Sequence, residues 1–267
     1  MTGFICPICR EPLVKEETRC SCCNGHSFDL ARSGYVNLLT ASKKHSRNPG
    51  DGKEMVVSRR EFLDRGYYAP LCKAVAMKAK ELGGDVYFDA GCGTGYYTTA
   101  VNDSLSPSVC MGVDLSKYAV ETTAKREKNG FFAVASVYDL PVASESVDII
   151  TNVFSPMADS EYCRILKKGG SMIYVVPGPR HLYSLKELLY DSPYENQVSH
   201  PEYNGLVETE RTECSFTIEP HSTEDVERLF GMTPYFWRSP ADALEKIRTM
   251  SLRSIGTEFY ITVLKKI

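Results

Sequence analysis

Two groups of residues in this chain have the types and spacings that chemistry needs, and they lie far apart in sequence. Near the start, Cys6-Pro7-Ile8-Cys9 is followed by Cys22 and His26. Thiolates and imidazoles in short paired spacings are ligands for tetrahedral zinc, each pair seated on one tight turn. The second pair is open to choice: three residues separate Cys22 from His26, two separate Cys23 from it, and five separate Cys20. A segment this short, with few large apolar residues, cannot hold itself together by core burial, and a metal would supply the missing stabilisation. Four protein ligands leave no open coordination position, so zinc here shapes a module and does no chemistry.

The second group begins at residues 88–95, which read Phe-Asp-Ala-Gly-Cys-Gly-Thr-Gly, and Asp114 closes the next apolar run. Gly91, Gly93 and Gly95 allow a sharp turn out of a strand and a close approach to a ligand. A carboxylate about twenty residues further on suits a ribose diol, because it accepts from both hydroxyls. Asp89 separates two cofactor classes. A dinucleotide places its pyrophosphate at the helix N-terminus, where Asp89 would repel it. S-adenosylmethionine has no phosphate and a cationic methionyl end, which Asp89 suits. The pattern therefore points to a methyl donor.

These residues require a scaffold. Apolar runs at 86–88, 109–113, 131–134, 147–151 and 172–176 alternate with helix-compatible stretches such as 116–128, where Ser116 is placed as an N-cap. Leu71, Val75, Ala79 and Leu82 fall at helical spacing. Strands alternating with helices predict an α/β fold, a parallel sheet covered on both faces with ligands at the carboxyl ends of its strands. Asp89, Asp114 and Asp139 each follow a predicted strand and should line one cleft, Asp139 accepting from an adenine amino group. Residues 152–156 should end the fourth strand near the sulfonium, where a flat acceptor base could be held. Pro177-Gly178-Pro179-Arg180-His181 should form a rigid loop at the cleft mouth, with Arg180 and His181 aimed at ligand. Residues 190–211 read as an irregular insertion or surface loop, and residues 258–265 as an edge strand.

The bulk numbers exclude several classes. At 267 residues the chain has room for one large core plus a small module. It has no run apolar enough to span a membrane and no signal-peptide pattern, and its ten cysteines read as thiols or metal ligands of a cytoplasmic protein. A net charge of -3 argues against a broadly cationic nucleic-acid binder, so RNA contact must come from local patches. Lys43, Lys44, Arg47, Arg59 and Arg60 form such a patch between the two groups, interrupted by the Asn48-Pro49-Gly50-Asp51 turn. The expected organisation is a zinc-binding RNA-recognition domain at 1–40, a basic linker and helix at 41–66, and a methyltransferase domain at 67–267.

Together with Gly34-Tyr35-Val36-Asn37-Leu38-Leu39, Arg60-Glu61-Phe62-Leu63-Asp64, Tyr68, the 177–182 loop and residues 232–238, these motifs resemble the RlmA family of 23S rRNA guanine-N1 methyltransferases over nearly the whole chain. The resemblance implies a Rossmann-like class I methyltransferase domain with a small N-terminal zinc-binding domain. It implies S-adenosylmethionine and Zn²⁺ as cofactors, with zinc on Cys6, Cys9, Cys22 and His26. It implies cofactor contacts at Tyr68, Gly93, Thr94 and His181, although Thr94 stands where some relatives carry glutamate. It also implies a guanine in a hairpin loop of 23S rRNA domain II as target, near the peptide exit tunnel, an association with macrolide resistance, and a homodimer. Two rivals remain at this level: a small-molecule methyltransferase with an accessory zinc module, and a zinc-dependent RNA-binding module whose cofactor cleft is vestigial.

Overall fold

A computed structural model describes residues 3–40, 49–198, 203–237, 239–240, 242–249 and 254–267. The N-terminal segment forms a small antiparallel sheet of β1 (Val14–Lys15), β2 (Arg19–Ser21) and β3 (Ser27–Asp29) in that order. Strands of two or three residues bury little, and within this sheet only Cys20 is fully buried.

The chain then enters the large sheet as β4 (Val36–Asn37), and α1 (Lys53–Asp64) and α2 (Ala69–Leu82) follow. After them β5 (Val86–Ala90), α3 (Tyr96–Leu105), β6 (Val109–Asp114), α4 (Lys117–Arg126), β7 (Phe131–Val134) and β8 (Val147–Val153) alternate. The remainder comprises α5 (Asp159–Ile165), β9 (Leu166–Pro177), α6 (Tyr183–Leu189), β10 (Leu206–Ile218), α7 (Thr223–Gly231), α8 (Ala243–Thr249) and β11 (Ile255–Lys266). Eight strands lie in the order β10-β11-β9-β8-β5-β6-β7-β4, antiparallel at β10-β11-β9 and parallel elsewhere. β5 buries side chains on both faces, Tyr87 and Phe88 in succession, as a central parallel strand must. Ser116 caps α4 by accepting from the Ala119 amide at 3.4 Å, as its position predicts.

Two strand assignments differ from the sequence expectation. Residues 258–265 are interior to the sheet, within β11, which pairs with β10 and β9 on its two sides. The edge is β10, whose first six residues lie in the stretch that reads as irregular. Its Glu208, Glu210, Arg211 and Glu213 are what keep an exposed edge from pairing with another chain, so the same charges that suggest a loop serve a strand here.

The two modules share one core. β4 pairs in parallel with β7, with Val36 opposite Ala133. Phe4 bridges to Val142, and the Ile5 amide donates to the Pro141 carbonyl at 2.8 Å. Phe4, Cys6, Leu13 and Cys20 pack in one cluster with Phe88, Met111, Ile150 and Met172 of the sheet. The opposite face is covered by α1, α2, α3, α4, α6, α7 and α8. Among the described residues no helix is long and apolar enough to cross a membrane.

Candidate functional site

Two hydrogen-bonded turns build the N-terminal ligand cluster. The Arg10 amide donates to the Cys6 carbonyl at 2.9 Å, and the Gly25 amide to the Cys22 carbonyl at 3.0 Å. The ligand atoms of Cys6, Cys9, Cys22 and His26 consequently lie within 4.8 Å of one another. The Cys9 and Cys22 sulfurs are 3.6 Å apart, and the His26 Nδ1 is 3.4 Å from the Cys22 sulfur. Tetrahedral zinc with bonds of about 2.0–2.3 Å requires edges of this size. The Glu11 amide and Asn24 beside Cys9 draw its thiol down to about 6, whereas burial pushes the Cys6 thiol up. Thiolate character is what a zinc ligand needs. Of the rival cysteines, Cys20 faces the core and Cys23 is exposed, and neither belongs to the cluster.

The second site sits where β5 gives way to α3. Gly91 adopts a φ of 92°, and a Cβ there would stand 2.4 Å from the Ser155 hydroxyl. The turn is therefore held against the exit of β8, and only glycine fits. Asp114, at the end of β6, accepts from the Gly93 amide at 3.0 Å and the Ser116 amide at 2.8 Å. A carboxylate offers about four acceptor positions, so two such bonds leave capacity for a diol. Burial raises the Asp114 carboxyl, and the two amides oppose this.

Asp89 is buried beneath the turn. It accepts from the Thr98 hydroxyl at 2.6 Å and the Thr151 hydroxyl at 3.0 Å, and burial raises its carboxyl to about 6. At the start of α3, the hydroxyl oxygens of Thr94, Tyr97 and Thr99 are buried with no hydrogen-bond partner among the described residues. Each such group costs about 1–3 kcal/mol, which the polar end of a bound ligand would offset. A buried negative charge beside unsatisfied hydroxyls fits an amino-acid moiety with a cationic neighbour and does not fit a pyrophosphate.

Tyr68 and His181 lie deeper. Both are buried, with ring centroids 5.4 Å and 4.5 Å from Phe259 respectively. Phe259 meets Phe154 at 5.4 Å, and Phe154 meets Tyr97 at 6.3 Å, so a chain of rings runs from His181 to the start of α3. Burial, with Lys186 nearby, lowers the His181 imidazole to about 3, so it is neutral at physiological pH. Arg180 beside it turns outward to Glu195 at 3.2 Å. At the exit of β8 the Asn152 amide donates to the Pro156 carbonyl and the Tyr162 hydroxyl, and its oxygen accepts from the Ser155 amide. These bonds tie the loop together, and within it Phe154 stands at a φ of 59° and is 43% exposed. A non-glycine residue held in this region marks a constrained position at the mouth of the site.

The chain matches two family models: the N-terminal model of RlmA over residues 4–47, and a methyltransferase domain over residues 88–174. A protein of Micromonospora griseorubida assigned by name as a 23S rRNA (guanine-N1-)-methyltransferase is 32% identical, covering 92% of this chain and 91% of the relative. The chain belongs to the RlmA family of 23S rRNA guanine-N1 methyltransferases. The 23S rRNA (guanine(748)-N(1))-methyltransferase of Streptomyces fradiae is 36% identical over 69% of this chain and 66% of its own length. In fold, the YcgJ protein of Bacillus subtilis superposes with a TM-score of 0.53 at 19% identity, covering 72% of this chain and 97% of that one. Family membership brings S-adenosylmethionine and Zn²⁺ as cofactors, and the chemistry of the glycine turn and of the Cys/His cluster fits them.

Other sequence-predicted site residues are differently engaged. Asp139 stands 3.6 Å from Arg10 of the zinc module. Arg59 is turned inward, bonded to Asp51 and donating to the Met232 carbonyl at 3.3 Å. Asp51 in turn accepts, through its carbonyl, from the Ser116 hydroxyl at 2.6 Å, two residues from Asp114. Gly50, with a φ of 78°, lies so close that a Cβ would come within 2.5 Å of the Ser116 amide. The 49–52 turn thus walls the Asp114 side of the site, a role its sequence does not announce. Arg60 is 43% exposed beside Glu61. Lys43, Lys44 and Arg47 lie outside the described residues. Sequence reasoning also missed Lys186, fully buried on α6, because its polar partners come from residues 194 and 196.

Proposed function

We propose that this protein transfers the methyl group of S-adenosylmethionine to N1 of a guanine in a hairpin loop of 23S rRNA domain II, near the peptide exit tunnel. The observation that carries this reading is the fusion of a zinc ribbon and a methyl-donor turn into one packed core, in a chain whose relatives are named for guanine N1. The bound cofactor supplies an electrophilic methyl group on a sulfonium. Asp114 would hold the ribose diol, and the amides of the 91–95 turn and the hydroxyls of Thr94 and Tyr97 would hold the methionyl end. Tyr68 and His181 back the site with rings, His181 in its neutral form. Phe154 would give the flat acceptor an exposed ring to stack on, with Ser155 and Pro156 held still by Asn152. As the N1–carbon bond forms the carbon–sulfur bond breaks, and the N1 proton leaves to solvent or a base. Positioning supplies much of the acceleration in such a transfer. A loop guanine is already unpaired, so presenting it costs little unstacking.

The RNA would be gripped by the zinc module, which we assign to residues 1–40, and by Lys43, Lys44, Arg47 and Arg60 of the 41–66 linker. Arg59 would act in part by bracing Asp51 against the donor domain, residues 67–267. Action on ribosomal RNA supports a cytoplasmic location, a methyl group at that loop would alter macrolide susceptibility, and the family resemblance supports a homodimer. The test is methylation of 23S rRNA fragments with labelled cofactor, read by primer extension, which stops at an N1-methylated guanine. Label in the domain II hairpin supports the reading. Label in no rRNA fragment, with transfer to a quinone or amine instead, overturns it. The Lys43/Lys44/Arg47 alanine variant should lose affinity and reduce the salt slope by about 0.7–0.9 per lost phosphate contact.

A further inference from the structure

A cavity lies at the carboxyl end of β9, with Tyr174 and Tyr203 on the face of the sheet that carries the zinc module and Tyr235 packed against the cluster of the opposite face. It encloses about 630 Å³ and is walled by Tyr174, Tyr194, Tyr203 and Tyr235, with Asn196 and Arg211 among its polar groups. Small-ligand sites fall at about 300–1,000 Å³, so the space fits a planar group of nucleobase size. Its place is fixed by register. Arg211 pairs with Thr262, Thr262 with Tyr174, and Tyr174 with Asn152, so one row of side chains crosses from the sheet edge to the exit of β8. Thr151 pairs with Asp89, which puts Asn152 beside the last residue before the glycine turn.

The wall of this cavity is built with hydrogen bonds. The Lys186 ammonium is fully buried and donates to the Tyr194 carbonyl at 2.9 Å and to the Asn196 side-chain oxygen at 2.7 Å. That same oxygen accepts from the Tyr235 hydroxyl at 3.2 Å. The Asn196 side-chain amide donates to the Gly178 carbonyl at 2.8 Å, and its backbone amide to the Pro179 carbonyl at 2.9 Å. The Lys186 charge also faces the rings of Tyr194 and Tyr235 at 4.4 Å and 5.2 Å. A buried ammonium is costly unless it is fully bonded, and here it is used to seat two tyrosines and to tie the wall to the 177–181 loop. Tyr203 meets Tyr174 edge to face at 6.3 Å.

From this arrangement we propose that the tyrosine cavity takes a nucleobase of the same RNA, one that flanks the accepting guanine. The proposal rests on the RNA reading above and adds a subsite to it. The accepting base itself must touch the transferred methyl. Tyr174 is two strands from β5, about 10 Å at the usual strand spacing, which is too far for the target and suited to a neighbour. Single-stranded RNA is recognised by stacking unpaired bases on aromatic side chains, and every base has a face to offer. Lys186 is then a positioning residue, acting through Tyr194 and Asn196.

The experiment is steady-state methylation of a 23S rRNA domain II transcript by Tyr174→Ala, Tyr203→Ala and Tyr194→Ala, with the corresponding Phe variants. S-adenosylmethionine affinity by calorimetry reports whether each variant is folded, and Tyr194 is 48% exposed, so its truncation spares the core. The expected result is a KM for the RNA raised roughly 5- to 100-fold by each alanine, with kcat within about twofold of wild type and the Phe variants close to wild type. An unchanged KM in variants that bind cofactor normally overturns the proposal, and so does failure of Phe to restore it. If the wild-type enzyme is itself inert on all rRNA, the RNA reading has failed. If wild type is active and the alanine variants match it, only the subsite has failed.

Discussion

The zinc module and the donor site solve the problem of buried polar groups in opposite ways. The N-terminal segment has strands too short to form a core, and it gathers Cys6, Cys9, Cys22 and His26 around one point for a metal to satisfy. The donor site lies in the middle of an eight-stranded sheet and satisfies its charges from within, Asp114 by backbone amides and Asp89 by two threonine hydroxyls. One region depends on something it binds in order to be folded. The other satisfies its charges without a ligand and leaves the hydroxyls of Thr94, Tyr97 and Thr99 without a partner among the described residues.

That contrast can be broken most forcefully at the metal. Structural zinc in small modules contributes about 10–16 kcal/mol, so chelation or Cys22→Ser should abolish rRNA methylation. S-adenosylmethionine affinity, measured by calorimetry on the same sample, should fall far less than the rRNA activity, because the helices on the opposite face of the sheet do not depend on the metal. Loss of both together would mean that the two regions do not differ in the way described.

The next largest effect is expected at Asp114. Asp114→Ala strands the Gly93 and Ser116 amides and removes the proposed ribose acceptor. Hydrogen bonds to a charged group contribute about 1.5–3 kcal/mol, so cofactor binding should weaken roughly 10- to 150-fold while the zinc content is unchanged. Binding that weakens less than about twofold contradicts the role.

Asp89 sharpens the comparison because its burial is a cost. Its carboxyl is raised to about 6, against about 3.9 in an unfolded chain. A raised carboxyl favours the folded state at low pH, and that favour is lost as pH rises through about 6. Asp89→Asn should therefore raise the Tm at neutral pH, by up to about 3 kcal/mol of stability, and the advantage should vanish below about pH 4. The same variant should bind cofactor less well. A variant with a lower Tm at neutral pH would show that the threonine bonds outweigh the burial.

His181 gives the opposite slope and the smallest effect. Burial holds it at about 3 in the folded protein, against about 6.5 unfolded. As pH falls through this window the unfolded chain takes up a proton that the folded one refuses, so stability drops. Urea midpoints should show His181→Phe losing less than wild type between pH 7 and 5.5, by about 1 kcal/mol. Equal losses in the two proteins would mean that the buried ring is not what sets this slope.

How much of this was legible in the sequence followed from how local each signal is. β5, β6, β7 and the glycine turn declare themselves within a few residues, because a central parallel strand is apolar throughout and a tight turn needs glycine. The zinc pairs are equally local, though the choice of Cys22 over Cys20 and Cys23 rested on the family resemblance, and the geometry groups Cys22 with Cys6, Cys9 and His26. β10 was hidden by the charges that protect an edge, and β4 by being two residues long. The partners of Asp139, Arg59 and Lys186 were out of reach for a different reason. Arg10, Asp51 with Met232, and Asn196 come from other parts of the chain, and no local pattern reports such pairings. The tyrosine cavity is the extreme case, assembled from residues 174, 194, 203 and 235.

The central claim is that a zinc-held recognition module and a methyl-donor sheet act together on one guanine of ribosomal RNA. Its most direct test compares 23S rRNA from cells with and without this protein, by primer extension and mass spectrometry across domain II. The account predicts one N1-methylguanine in the hairpin loop that is present only with the protein and is lost when Cys22→Ser replaces it. Identical methylation in both strains would contradict the account.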